Sequence, residues 1–144
     1  MPGTDAVRAY LDSCVLIYRI EQRAPWAERV NEQLALLEAN RTALVVSELT
    51  RLECRVRPLA LGRADMLRDY DQFFAQPQIG WQALDRTVFE LATRLRAESR
   101  LKTADALHLA AAISAGCQQF ITNDLRLARA AADHINVLAL ASPT

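Results

Sequence analysis

The chain has 144 residues, 51% of them hydrophobic, which is the size of one domain and enough to bury a full core without disulfide or metal staples. Its 17 basic and 17 acidic residues cancel, so composition supplies no overall basic field, and a nucleic-acid partner has to be met by a local patch. No uninterrupted apolar run approaches the ~20 residues that cross a bilayer, and Met1-Pro2-Gly3-Thr4-Asp5 lacks the charged-then-apolar pattern of an export signal. A single domain over residues 1–144, cytoplasmic and without a membrane partner, is expected. Cys14, Cys54 and Cys117 form no metal-like pair spacing, and their odd number suits reduced thiols packed as small core residues.

Residues 7–11 alternate as a short strand, and Asp12-Ser13 follow at its end, before an apolar helical run at residues 14–18. Asp12 thus marks a strand-to-helix junction, where capping is its simplest role. After Pro25, residues 26–39 repeat apolar side chains at Val30, Leu34 and Leu37 and predict an amphipathic helix. Residues 43–46 are a continuous apolar run of strand length, and Ser47 caps a helix expected to end near Pro58. On that helix Leu49, Leu52 and Val56 define an apolar face, with Glu48 and Glu53 each roughly 70° from its centre on opposite sides. Glu48 has a first-turn role to explain it, whereas Glu53 lies beyond any cap, so Glu53 is the better functional candidate. An ion pair between Glu53 and Arg57 is its alternative.

A further helix is predicted over residues 62–75, a short strand over 79–84, and an amphipathic helix over 85–100 capped by Asp85. Residues 104–115 are almost all Ala, Leu or Ile, so this helix is apolar on every side and reads as buried. Asp105, in its first turn, is out of place. Either Thr103 caps the helix and Asp105 complements its dipole, or the carboxylate belongs to a pocket. His108, one turn on, reads first as a satisfied core histidine and second as a donor beside such a pocket. Gly116 stops the helix, residues 118–121 form a strand ending in Thr122-Asn123-Asp124, and a helix over 125–133 leads to a last strand over 135–140.

Strand and helix alternate along most of the chain, which predicts an α/β fold with a mainly parallel sheet covered on both faces. Ligands in such folds sit beyond the carboxyl ends of the strands. Asp12, Glu53, Asp105 and Asp124, from four separated segments, have the chance to meet there. Carboxylates brought that close repel one another, and hard divalent cations, Mg²⁺ or Mn²⁺, are the natural counter-charge for an all-oxygen set.

Tyr10-Leu11-Asp12-Ser13, Ser47-Glu48-Leu49-Thr50-Arg51-Leu52-Glu53, Thr103-Ala104-Asp105-Ala106-Leu107-His108-Leu109-Ala110 and Ile121-Thr122-Asn123-Asp124 resemble, in order and spacing, the four acidic motifs of PIN-domain nucleases. Within that family the resemblance is to VapC toxins of toxin-antitoxin pairs. It implies a three-layer PIN-like fold with helices on both faces of a mainly parallel sheet, and Mg²⁺- or Mn²⁺-dependent endoribonuclease activity. It implies Asp12, Glu53, Asp105 and Asp124 as the metal-binding, catalytic acids, with Ser13 and Asn123 as polar supports. It also implies a structured RNA substrate, tRNA or rRNA, a homodimer, and a cognate VapB-like antitoxin lying along the first helices around Tyr18, Trp26 and Leu34. Arg51, Arg55 and Arg57, or Arg94, Arg96, Arg100 and Lys102, are the candidate phosphate contacts.

Two other readings fit less well. A non-catalytic acidic receiver or binding module of similar α/β architecture wants paired acids after the first strand and a Lys after the fifth, but Ser13 follows Asp12 and Lys102 precedes a helix. A DNA nuclease resembling the flap endonucleases needs more chain for its extra acids and helical arch.

Overall fold

The structure, a computed structural model, describes residues 7–140. In chain order its elements are β1 (Arg8–Leu11), α1 (Ser13–Ile20), α2 (Trp26–Ala39), β2 (Ala43–Val46), α3 (Glu48–Ala60), α4 (Ala64–Phe74), β3 (Gly80–Trp81), α5 (Arg86–Ser99), α6 (Thr103–Ser114), β4 (Gln119–Thr122), α7 (Leu125–Ala131) and β5 (Asn136–Ala139). The strands form one sheet in the order β3-β2-β1-β4-β5, with every pairing parallel.

Side-chain alternation along the strands builds two cores, one on each face of the sheet. Tyr10, Val45 and Phe120 point to one face and pack with α5, α6 and α7 through Val88, Leu95, Leu109 and Leu127. Their neighbours Ala9, Leu11, Val46 and Ile121 point to the other, where Leu16, Val30, Leu34, Tyr70 and Phe74 of α1, α2 and α4 cover them. Register places Tyr10 between Val45 and Phe120, and its ring stacks on Phe120 at 5.6 Å between centroids. The three-layer α/β architecture expected from the sequence is therefore the one adopted. The chain enters at central β1, runs outward through β2 and β3, then crosses back to β4 and β5. That reversal opens a crevice at the carboxyl ends of β1 and β4.

Three local expectations are corrected. Helix α3 does not stop at Pro58 but runs through it to Ala60. Pro58 sits in the last turn, where its missing N–H removes a single intrahelical bond and the Leu61 N–H still reaches the Arg57 carbonyl at 3.0 Å. The expected apolar stripe of α3 divides, with Leu49 packed partly buried against the core and Leu52 and Val56 turned to solvent. Thr50, Cys54 and Pro58 are the buried side of the helix, while Leu52, Val56 and Leu59 are 60%, 57% and 64% exposed. Periodicity finds a stripe but cannot say which side the rest of the chain covers, and Thr50 is buried at no penalty because its hydroxyl is bonded. Finally, Lys102 rather than Thr103 is the N-cap of α6, since the Thr103 hydroxyl receives the Arg96 guanidinium at 3.0 Å. Gly62, with φ at +67°, belongs to the turn before α4, and Gly116, with φ at +71°, ends the turn after α6 as expected. Among the described residues no helix is long and apolar enough to cross a membrane.

Candidate active site

Each acid owes its position to the end of an element. Asp12 follows β1 as the N-cap of α1. Its Oδ1 accepts the Ser13 N–H at 2.8 Å and its Oδ2 accepts the Thr122 hydroxyl at 2.7 Å. Asp124 follows β4 as the N-cap of α7, where Oδ1 accepts the Arg126 and Leu127 N–H groups at 3.0 and 3.2 Å. Capping and site-building are thus not alternatives, because each carboxylate oxygen has two lone pairs and one that caps a helix can still face the pocket. Asp105 lies in the first turn of α6. Glu53, the sixth residue of α3, accepts the Ser13 hydroxyl at 2.9 Å and lies 2.6 Å from His108 Nε2, both at Oε1.

These four acids line a single pocket of about 250 Å³ together with Ser13, Cys14, Tyr18 and Asn123. Every site residue named from the sequence is in its wall. Glu48 is not: its side chain is 75% exposed and lies 4.0 Å from Arg51. The Glu53–Arg57 pair is not formed; Glu53 turns inward to Ser13 and His108.

The electrostatics are those of crowded carboxylates. Burial pushes the Asp105 carboxyl above its ordinary 3.8, and the neighbouring charges of Asp12 and Asp124 push it further in the same direction. Glu53 behaves oppositely. Burial raises it, but the hydrogen bonds from His108 and from the Ser13 hydroxyl outweigh that, so it falls below its ordinary 4.5. Burial beside Asp12 drives the Cys14 thiol up to about 12, which keeps it a neutral wall residue.

The bonds that brace this wall were not legible beforehand. Thr122 links Asp12 to the turn of Asp124, whose N–H it accepts at 3.0 Å. Asn123 donates its side-chain amide to the Tyr18 hydroxyl at 3.1 Å and its backbone N–H to Cys14 Sγ at 3.4 Å. His108 is buried as a core histidine would be, yet it reaches the pocket through Glu53. Its place three residues after Asp105 was the available signal. Leu34 is 7% exposed and belongs to the core, so it offers nothing to a partner, whereas Tyr18 and Trp26 are partly exposed, with ring centroids 6.0 Å apart. Two candidate phosphate contacts are committed elsewhere: Arg55 pairs with Asp71 at 2.8 Å, and Arg96 binds the Leu101 carbonyl and Thr103.

Asp12, Glu53 and His108 offer metal-ligating atoms that all lie within 4.8 Å of one another. Hard carboxylate oxygens dominate the wall, and the repulsion felt by Asp105 is of the kind a divalent cation relieves.

Solved structures of the same fold include VapBC2 from Rickettsia felis bound to a fragment of promoter DNA, with a TM-score of 0.74 and 14% identity over 92% of this chain and 98% of that one. DNA-bound VapBC from Salmonella typhimurium gives 0.72 and 18%, covering 94% and 99%. VapC20 from Mycobacterium tuberculosis, a sarcin-ricin loop cleaving toxin, gives 0.63 and 11%, covering 78% and 86%. No curated protein matches the sequence. The PIN domain family model matches residues 9–133, which include all four acids and four of the five strands, and the chain therefore belongs to the PIN-domain family.

Proposed function

We propose that this protein is a metal-dependent endoribonuclease, the toxin of a toxin-antitoxin pair, which hydrolyses phosphodiesters of structured RNA. The observation that carries this reading is the convergence of Asp12, Glu53, Asp105 and Asp124 on one pocket at the carboxyl edge of a parallel sheet. Asp12, Asp105 and Asp124 would hold Mg²⁺ or Mn²⁺, and Glu53 would be a further ligand or orient the attacking water. A bound divalent cation supplies Lewis acidity, lowering the pKa of water and neutralising charge that builds on the phosphate.

The chain's own residues prepare that chemistry. Asp12 is held from both sides by Ser13 N–H and Thr122, and Asp124 by two amides of α7, so neither carboxylate has to reorganise as substrate binds. Glu53, with its lowered pKa, stays ionised at neutral pH, which suits it to bind a cation or to orient water by accepting its hydrogen bond. The pocket is open to solvent at Asp105 and Asp124, which suits a single-stranded segment of RNA whose backbone can bend into it.

For the substrate, the similarity to a sarcin-ricin loop cleaving toxin supports ribosomal RNA, with tRNA as the second structured RNA to test. For the partners, similarity to structures of VapBC complexes supports a VapB-like antitoxin. The exposed row Leu52, Val56 and Leu59 supports a homodimer, because three large apolar side chains along one helix face are more than solvent exposure alone favours. Purified protein incubated with total RNA tests the activity. Cleavage that needs Mg²⁺ or Mn²⁺ and disappears with EDTA and in Asp12→Asn is expected, whereas cleavage indifferent to both overturns the proposal.

A further inference from the structure

Asp12 and Asp124 are oriented by backbone amides at helix N-termini. Glu53 has no such support, because amides beyond the first turn of α3 are used within the helix. It is oriented by side chains alone. Ser13 Oγ and His108 Nε2 both meet Oε1, which leaves Oε2 without a donor from the described residues.

Behind His108 lies a closed line of buried groups. Its Nδ1 is 2.7 Å from the Tyr10 hydroxyl, which is 2.9 Å from Ser47 Oγ and 3.2 Å from Thr50 Oγ1. Tyr10, Ser47 and Thr50 are fully buried, and His108 is 1% exposed. Counting protons gives the direction. A carboxylate only accepts, so Nε2 carries the ring proton, and Nδ1 then accepts from Tyr10. The Tyr10 oxygen in turn accepts from Ser47 and Thr50. Those two hydroxyls are free to donate, because each already accepts the other's backbone N–H in the capping box that starts α3. The line therefore begins and ends on α3, and β1 and α6 hold its middle.

The donor atoms of Asp12, Glu53 and His108 are close enough to share an ion. A metal would need the Nε2 lone pair, however, and two lone pairs facing each other at 2.6 Å repel, whereas a proton between them makes a short charge-assisted hydrogen bond. We propose that His108 is a positioning residue for Glu53 and not a metal ligand, with its Nε2–H presenting Oε2 to the pocket and Tyr10 fixing its tautomer. This rests on the nuclease reading of the pocket.

Long-range ¹H–¹⁵N NMR of the full chain at neutral pH tests it directly, because only two histidines, His108 and His134, contribute signals. His108 is expected to show the Nε2–H tautomer, unchanged by saturating Mg²⁺. An Nδ1–H tautomer, or loss of the Nε2 proton when Mg²⁺ is added, overturns the proposal. A second arm uses His108→Gln, whose amide can still donate, and His108→Leu, whose side chain cannot. The Leu variant is expected to lose about 10–100-fold in kcat with KM for RNA unchanged, and the Gln variant to recover most of that loss. Wild-type kcat in the Leu variant overturns it. A wild-type protein that cleaves no RNA but shows the Nε2–H tautomer upholds the positioning geometry and overturns only the nuclease reading.

Discussion

The Thr122 hydroxyl donates to Asp12 Oδ2 at 2.7 Å across the β4–β1 pairing, and its oxygen accepts the Asp124 N–H at 3.0 Å. One buried hydroxyl thus ties the acid after β1 to the turn carrying the acid after β4. Thr122→Val keeps the shape but leaves a buried carboxylate oxygen and an amide short of a partner. A loss of about 1–3 kcal/mol is expected in urea unfolding, with Thr122→Ser recovering most of it. No measurable loss in the Val variant would show that water replaces the link.

Asp105 predicts a pH dependence of stability. Burial, Asp12 and Asp124 raise its carboxyl above 3.8, so the folded state keeps its proton to higher pH than the unfolded chain does. Without metal, stability should fall as pH climbs from 3.8 through the folded value. Asp105→Asn should flatten that slope and be at least as stable as the parent at neutral pH, while abolishing cleavage. Mg²⁺ should stabilise the parent, by about 2.7 kcal/mol at a hundred times its Kd, and the variant much less. Thermal unfolding across pH, with EDTA and with Mg²⁺, reads the stabilities, and an RNA cleavage assay reads the activity. Unfolding of the variant would instead assign Asp105 a purely structural role.

Glu53 carries the opposite slope. Its folded pKa lies below 4.5, so its stabilising contribution is present above 4.5 and is lost as pH falls through the folded value. Glu53→Gln should remove that acid-side loss and reduce cleavage at least about tenfold. Glu48→Gln should change neither, since Glu48 projects into solvent. Parallel pH titrations of unfolding and RNA cleavage assays on the two variants separate the acids.

The apolar row on α3 predicts an interface. Leu52→Glu with Val56→Glu should alter unfolding by no more than about 0.5 kcal/mol per site, because both side chains already face water. Self-association measured by analytical ultracentrifugation should weaken. An unchanged dimer would move the interface elsewhere, and a monomeric parent protein would remove the homodimer from the proposal.

Much of this architecture was legible because burial leaves a periodic mark. The all-apolar run of α6, the four-residue apolar strand β2 and the caps Asp85 and Ser47 each specify a local conformation through the hydrophobic effect or an unpaired amide. The candidate acids were legible for the complementary reason, that a charge at a strand end or in a buried helix needs a partner. The α3 face was misread because Leu52 and Val56 carry the period of a core stripe while lying outside it, and a one-dimensional pattern holds no record of which side a neighbour covers.

What the sequence by itself determined is the set of elements, their alternation and the odd placement of four carboxylates, all consequences of local chain stiffness and of water's exclusion from apolar side chains. Only the tertiary structure decided which groups meet. Glu53 instead of Glu48 in the pocket, Thr122 between Asp12 and Asp124, and Tyr10 behind His108 each join residues many positions apart through directional bonds, and direction exists only once the sheet has set the distances.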